Sequence, residues 1–374
     1  APAAVLDVAV VGLSGRYAQA RDLREFWRNL REGRHCITEA PAARWDIAPW
    51  FDPERGRLGK TYSRWAGFID EADRFDPLFF QIAPRDAHYI DPQERLFLQE
   101  AYTAIEDAGH TPASLAAGSR VGVFVGVMNG QYGGAARHWS VANRVSYQFD
   151  FTGPSLAVDT ACSSSLTALH LAMDSLRSGA CEAALVGGVS LIVDPTQLVA
   201  LSAMGMLSSG DRCRAFGDGA DGFVDGEGVG VLVLKPLARA QADGDDIRGV
   251  IKATALNHGG RTHGYTVPNP KAQAEVVAGA LKAAGIEAAS LGYVEAHGTG
   301  TALGDPIEIA GLCRAFGSPV ERQACAIGSV KSNIGHCESA AGVAGVTKVL
   351  LQMQHGEIAP SLDCEPPKIG RAHV

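Results

Sequence analysis

Apolar residues fall along the chain in two patterns, short unbroken runs and helical stripes. The run 121–127 (VGVFVGV) is continuous and bounded by glycines, as expected of a strand buried on both faces. Comparable runs predict strands at 7–12, 155–158, 183–193, 228–234, 247–256, 292–295 and 324–330. Between them lie stripes of helical period. One runs through Leu23, Phe26, Trp27 and Leu30, after a glycine turn that closes the first strand. Over 164–177 the stripe is Leu166, Leu169, Met173 and Leu176, with Ala168, Leu171 and Ala172 on the other faces, so that helix should be buried all round. Asp91-Pro92-Gln-Glu94 predicts a capping box opening a helix that stops at Gly109. A second box, Asp305-Pro306-Ile-Glu308, predicts a helix to about Phe316. Further helices are expected at 271–284 and 339–354, the last rich in small residues. Segment 36–75 has little periodicity, but Trp45, Trp50, Phe51, Trp65 and Phe68 must find cover, which argues for an ordered, loop-rich insertion. Alternating strands and helices imply an α/β layered fold with helices buried between sheets.

Composition narrows the function. With 374 residues, 46% hydrophobic and 20% charged, the chain is globular and long enough for two domains or one duplicated one. A net charge of -8 with no basic stripe argues against nucleic acid. No apolar run is long enough to cross a bilayer and no secretory signal is visible, so a membrane partner is not expected. The 8 cysteines form no C-x-x-C pair, which points to a reducing, cytoplasmic compartment and no structural zinc. The chain begins at Ala1 without Met, as an excised domain would. Gly12-Leu-Ser-Gly15-Arg lacks the third glycine and the Lys-Ser/Thr of a phosphate loop.

Three polar loops carry candidate chemistry, each just after an expected buried strand, where strand ends converge. Cys162, in Asp159-Thr-Ala-Cys-Ser-Ser-Ser-Leu166, sits where a strand turns into a helix, and the free amides of such a turn should stabilise a thiolate. His297 lies in a Gly-Thr-Gly-Thr loop, whose glycines suit close approach of a ligand. His336 follows Lys331 by five positions. Strand, reactive loop and small-residue helix thus occur near Cys162 and again near His336, as two related halves would give. Each residue has a plainer reading: an inert core cysteine, or structural hydrogen-bonding histidines. Cys337 beside His336 suggests a metal ligand, but no further ligands at suitable spacing accompany it. A Cys beside two imidazoles can form a thioester and act on a second carbonyl, or can hydrolyse; a catalytically dead scaffold is a third class.

Together, Asp159-Thr-Ala-Cys162-Ser-Ser-Ser, Glu295-Ala-His297-Gly-Thr-Gly-Thr301 and Lys331-Ser-Asn-Ile-Gly-His336 resemble the beta-ketoacyl synthases, specifically ketosynthase domains of modular polyketide synthases. Asp91-Pro-Gln-Glu-Arg95 and Phe75-Asp-Pro-Leu-Phe-Phe80 resemble the modular type. Gly264-Tyr-Thr-Val-Pro-Asn-Pro270 and Gly59-Lys-Thr-Tyr62 resemble systems whose acyltransferase acts in trans. The resemblance implies one domain over 1–374 with a thiolase-like αβαβα sandwich of two related halves, about 1–255 and 256–374, in a homodimer. It implies that Cys162 accepts the chain from an acyl carrier protein's phosphopantetheine arm, with no permanently bound cofactor and no metal. His297 and His336 would then hold the malonyl carbonyl for decarboxylative Claisen condensation. Lys331, paired with Glu338, would orient the His336 region, and Thr299 and Thr301 would bond the pantetheine arm. Other polyketide synthase domains are implied as partners. A non-elongating, transacylating ketosynthase is the nearest alternative, although such domains commonly lack a reactive His and both are present here. Pro366-Pro-Lys-Ile-Gly370-Arg-Ala-His-Val374 lacks the glycine-rich, Phe-containing loop with which the family closes, so an incomplete C-terminal end is expected. Met204 and Met206 are candidates for an acyl pocket.

Overall fold

Residues 7–130, 132–134, 137–317 and 325–367 are described by a computed structural model; the closing segment 368–374, with the expected departure from the family pattern, lies outside them. The spine is a six-stranded sheet of β1 (Val8–Tyr17), β2 (Val121–Gly126), β3 (Ser155–Val158), β4 (Ala183–Ser190), β5 (Gly228–Pro236) and β6 (Gly249–Ile251). The spatial order is β3-β2-β4-β5-β1-β6. β2 is parallel to β3 and β4, while the β4-β5, β5-β1 and β1-β6 pairs are antiparallel.

The apolar runs are continuous because this sheet is covered on both faces. Val8, Val10, Leu232 and Leu234 pack with α1 (Leu23–Arg31), α4 (Ser164–Arg177) and α7 (Ala341–His355). Ala9, Val11, Val231 and Val233 face the other way, under α2 (Pro92–Asp107) and α3 (His138–Phe149). Beyond α7 a parallel pair, β7 (Tyr293–Glu295) and β8 (Ala326–Gly328), forms a second sheet. α6 (Gly304–Phe316) packs on it with Ile309, Leu312 and Ile327 in one cluster, and α5 (Pro270–Ala284) packs against α6. Five layers result: helices, large sheet, α4 with α7, small sheet, helices. The halves are unequal, since the second sheet has two strands among the described residues.

Several expectations need correction. The first strand does not end at a glycine turn. β1 runs through Gly12 and Gly15 to Tyr17, with a register shift between Val10 and Gly12, so the Gly-Leu-Ser-Gly segment is sheet and not a loop. The strand expected at 247–256 shrinks to Gly249–Ile251, after which Lys252 pairs with Asp7 at 2.5 Å and the chain leaves the sheet. Asp91 does cap α2, accepting from Gln93 N at 2.8 Å, but Glu94 pairs with Arg144 instead of closing the box. The insertion is ordered and anchored by Arg44 on buried Glu227 at 2.8 Å. Phe68 is buried, Trp45 and Trp65 pack partly against it, and Trp50 stays at the surface.

Helix α4 begins hard against the sheet. A Cβ at Gly126 would lie 2.4 Å from Ser165 N, so only glycine lets the helix start this close. Ser165 Oγ accepts from Val343 N at 3.1 Å and ties α4 to α7. Contrary to the expectation of all-round burial, Leu166 is 42% exposed on one flank of α4.

Candidate active site

The chain leaves β3 at Val158 and reaches Cys162 through a tight, strained turn. Ala161 takes φ +55°, a left-handed conformation that costs a non-glycine residue on the order of 1 kcal/mol or more. Asp159 Oδ1 accepts from Ala161 N at 3.1 Å, and Ser164 Oγ accepts from Thr160 N at 3.0 Å, so the turn is held from both sides. The thiol is not the stabilised thiolate the sequence suggests. Burial, then the neighbouring Glu338 carboxylate, push it up to about 12, against a smaller pull from Lys331. Helix α4 starts two residues later, at Ser164.

His336 is delivered by the segment that follows β8. A short helix, Lys331–Ile334, ends at Gly335, and His336 N donates to Val224 O at 2.7 Å. The ring is buried, with Phe223 edge-on at 5.0 Å. Its Nδ1 accepts from Glu338 N at 3.1 Å, which assigns the proton of the neutral ring to Nε2. Burial, then the charges of Lys331 and His297, hold His336 well below the usual imidazole range. Glu338 adopts φ +45° and turns Oε2 to within 3.6 Å of Cys162 Sγ. Among the described residues Lys331 and Glu338 do not form the direct ion pair expected of them; Lys331 is buried and lowers the Glu338 carboxyl through its charge.

His297 follows β7. Its backbone N and that of Gly298 donate to the two Glu308 oxygens at 2.6 and 2.8 Å. Gly298 has φ +43° with Ser329 against it, a position open only to glycine. The His297 ring stands 5.5 Å from that of His336, centroid to centroid, at 86°. Solvent reaches His297 along the cleft, yet protein crowds its other sides; that desolvation, with the Lys331 charge, pushes it down to about 3. Both imidazoles are thus pushed toward the neutral form.

The second capping box is absent. Leu303 at the N-cap of α6 makes no side-chain cap, Thr301 Oγ1 accepts from Gly304 N at 3.1 Å, and the two α6 carboxylates reach across to loops: Glu308 to the His297 loop, Asp305 to Phe216 N at 2.7 Å and Thr301 N at 3.3 Å. Spacing could not distinguish these roles, because Asp and Glu three apart at a helix start fit either. Thr299 and Thr301 face each other, Oγ1 to Oγ1, at 3.4 Å.

A cleft of about 350 Å³ is lined by Cys162, His297, Lys331, Leu166, Val250 and Met353 among others. The structure brings Cys162, His297 and Lys331 to this cleft and sets His336 behind His297 and Glu338 against Cys162, while His336, Glu338, Thr299, Thr301, Met204 and Met206 do not themselves line it. Sequence reasoning missed Glu308 and Asp225. The latter is buried, bridges to His336 through its backbone and accepts from Gln197 Nε2 at 2.8 Å. Cys162 Sγ, a His336 nitrogen and a Glu338 oxygen lie within 4.8 Å of one another, a metal-type donor set. The buried Lys331 ammonium beside them disfavours a cation there.

The beta-ketoacyl synthase N-terminal domain family matches residues 6–240, and the corresponding C-terminal domain family matches 248–365. Polyketide synthase PksM of Bacillus subtilis is 61% identical over 371 residues, 98% of this chain and 9% of that protein. Polyketide synthase ThaG of Burkholderia thailandensis is 61% identical over 384 residues, 97% of this chain and 7% of that protein. Among solved structures, the oxazolomycin ketosynthase domain OzmH KS7 of Streptomyces albus has a TM-score of 0.94 at 50% identity, covering 97% of this chain and 65% of its own. The ketosynthase from module 6 of the Bacillus subtilis bacillaene synthase has a TM-score of 0.90 at 45% identity, covering 96% and 63%. The chain spans less than a tenth of the length of these curated relatives.

Proposed function

The chain belongs to the beta-ketoacyl synthase family and has its thiolase-like α/β fold, and within that family we propose that it elongates a polyketide by decarboxylative Claisen condensation. The ketosynthase domains of polyketide synthases, which it resembles throughout, are acyl-transferring, Claisen-condensing enzymes. The reading takes residues 1–374 as one ketosynthase domain with halves of about 1–255 and 256–374.

The observation that carries it is the meeting of one thiol and two neutral imidazoles from three separate segments. Cys162 attacks the thioester of an acyl chain presented on the phosphopantetheine arm of an acyl carrier protein and becomes acylated. Malonyl carrier protein then enters, and His297 and His336 Nε2–H donate to its thioester carbonyl oxygen. Prefixed donors, His336 buried and His297 at the cleft, stabilise the enolate that forms as CO2 leaves, without reorganising at that moment. The carbanion attacks acyl-Cys162; a C–C bond forms, the C–S bond breaks, and the thiolate is released. The Cys162 backbone N–H contributes to the oxyanion site, Lys331 and Glu338 position the pair, and Thr299 and Thr301 bond the pantetheine arm.

The domain works in the cytoplasm beside other polyketide synthase domains, with an acyltransferase acting in trans. No helix among the described residues is long and apolar enough to cross a membrane. A homodimer through β3 draws support from that strand's position at the sheet edge, with Leu156 44% and nearby Tyr147 84% exposed.

The test separates the two half-reactions. With Cys162 alkylated, malonyl carrier protein should still lose CO2 without giving a condensation product. Replacing His297 or His336 by Ala should lower that decarboxylation by about 10²–10³-fold while acyl uptake on Cys162 persists. Free acid released from acyl-Cys162 without malonyl carrier protein would instead identify a hydrolase.

A further inference from the structure

Glu338 is a buried carboxyl group with an unusual posture for a residue that only positions its neighbours. Its φ of +45° strains the backbone, its amide is committed to His336 Nδ1, and together these hold Oε2 3.6 Å from Cys162 Sγ. Its other oxygen, Oε1, is buried without a hydrogen-bond partner. A carboxylate desolvated this far, with the thiol as its one hydrogen-bonding side chain among the described residues, gains from taking up a proton. The nearest proton is the thiol's.

We propose that Glu338 is the proton acceptor for Cys162: as the sulfur attacks an acyl thioester, the thiol proton passes to the Glu338 carboxylate, the carbonyl's bond to the pantetheine sulfur breaks, and Glu338 returns the proton to that departing thiolate. The proton and electron count closes within the site and needs no other reactant. This rests on the reading of Cys162 as the acyl acceptor.

The groups facing Glu338 are Cys162 from the β3–α4 turn, Lys331 from the short helix, His336 and Cys337 from its own loop, and Asp225 behind it. Burial raises Glu338 to about 7, opposed by the thiol contact and by Lys331, so the carboxyl can gain and lose a proton near neutrality. With burial and the Glu338 charge beside it the thiol stands at about 12 and exposes almost no free thiolate there, so its attack on a carbonyl must be accompanied by loss of its proton to a neighbour. A passive alternative makes the opposite prediction. If the carboxylate only repels thiolate charge, removing it should make Cys162 more reactive.

The experiment compares wild type, Glu338→Gln and Glu338→Asp. Mass spectrometry would follow iodoacetamide alkylation and acetyl-N-acetylcysteamine acylation of Cys162 from pH 5.5 to 10, with melting curves for each protein. Wild type should accelerate through an inflection near pH 7. Glu338→Gln should lose that inflection and react at least about tenfold more slowly at pH 7, and Glu338→Asp should keep an inflection at a displaced pH. Glu338→Gln reacting at or above the wild-type rate at pH 7 overturns the proposal. Should Glu338→Gln melt abnormally, Glu338→Asp decides: no inflection at an unchanged rate is the overturning result. Alkylation needs no carrier, decarboxylation or condensation, so an enzyme that never elongates would defeat the elongation reading and leave this one standing.

Discussion

Two imidazoles held neutral beside a protonated thiol set the chemistry at the scale of single residues. His297 and His336 are both depressed, chiefly by burial, so acid must reach well below 6.5 before either charges. Decarboxylation of malonyl carrier protein by Cys162-alkylated enzyme should therefore show no imidazole inflection between pH 5 and 8, measured in a Glu338→Gln background to remove the neighbouring carboxyl. An inflection at 6–7 would mean that a histidine with ordinary solvation does the work. Glu308 makes a second prediction. Its two bonds to the His297 loop are charge-assisted, each worth about 1.5–3 kcal/mol. Glu308→Ala should lower decarboxylation tenfold or more, yet leave the alkylation rate of Cys162 within about twofold. Cys162, His297 and His336 were legible because each lies in a polar loop just after an apolar run. Glu308 was not, because its distance from Asp305 fits a helix cap equally well and only the folded chain shows which loop it meets.

Helix α4 carries the argument at the scale of elements. The expected span 164–177 is the observed one, since its apolar stripe is long and its start is marked by the serines that follow Cys162. What periodicity could not give was the depth to which it sits. Gly126→Ala would drive a methyl to 2.4 Å from Ser165 N and push the helix start off the sheet. Overpacking of this kind typically costs about 1–3 kcal/mol. The melting temperature should drop, and Cys162 should alkylate at a changed rate because its turn is coupled to the same serines. Strand β1 was underread for the converse reason. Glycine at 12 and 15 looks like a turn, but there it admits α2 and the ring of Tyr17 close to the strand.

For the whole molecule, alternating apolar runs and stripes were enough to give layers of helix and sheet, because the large sheet is buried on both faces. The inequality of the two sheets was not legible: 247–256 reads as one apolar strand, but pairing ends at Ile251, where Lys252 meets Asp7 across the fold. Association is a prediction at this scale. Leu156→Asp would put a charge on the open edge of β3; light scattering should report a dimer for the parent protein and a monomer for the variant, and a monomeric parent would contradict the homodimer proposal. The central claim concerns carbon–carbon bond formation. Its most direct measurement loads Cys162 with an acyl group, adds malonyl carrier protein labelled with ¹³C at the free carboxyl, and weighs both proteins. The account predicts unlabelled β-ketoacyl carrier protein, labelled CO2 and Cys162 returned to free thiol, all lost on Cys162→Ala. Acyl-Cys162 that persists unchanged beside intact malonyl carrier protein would contradict it.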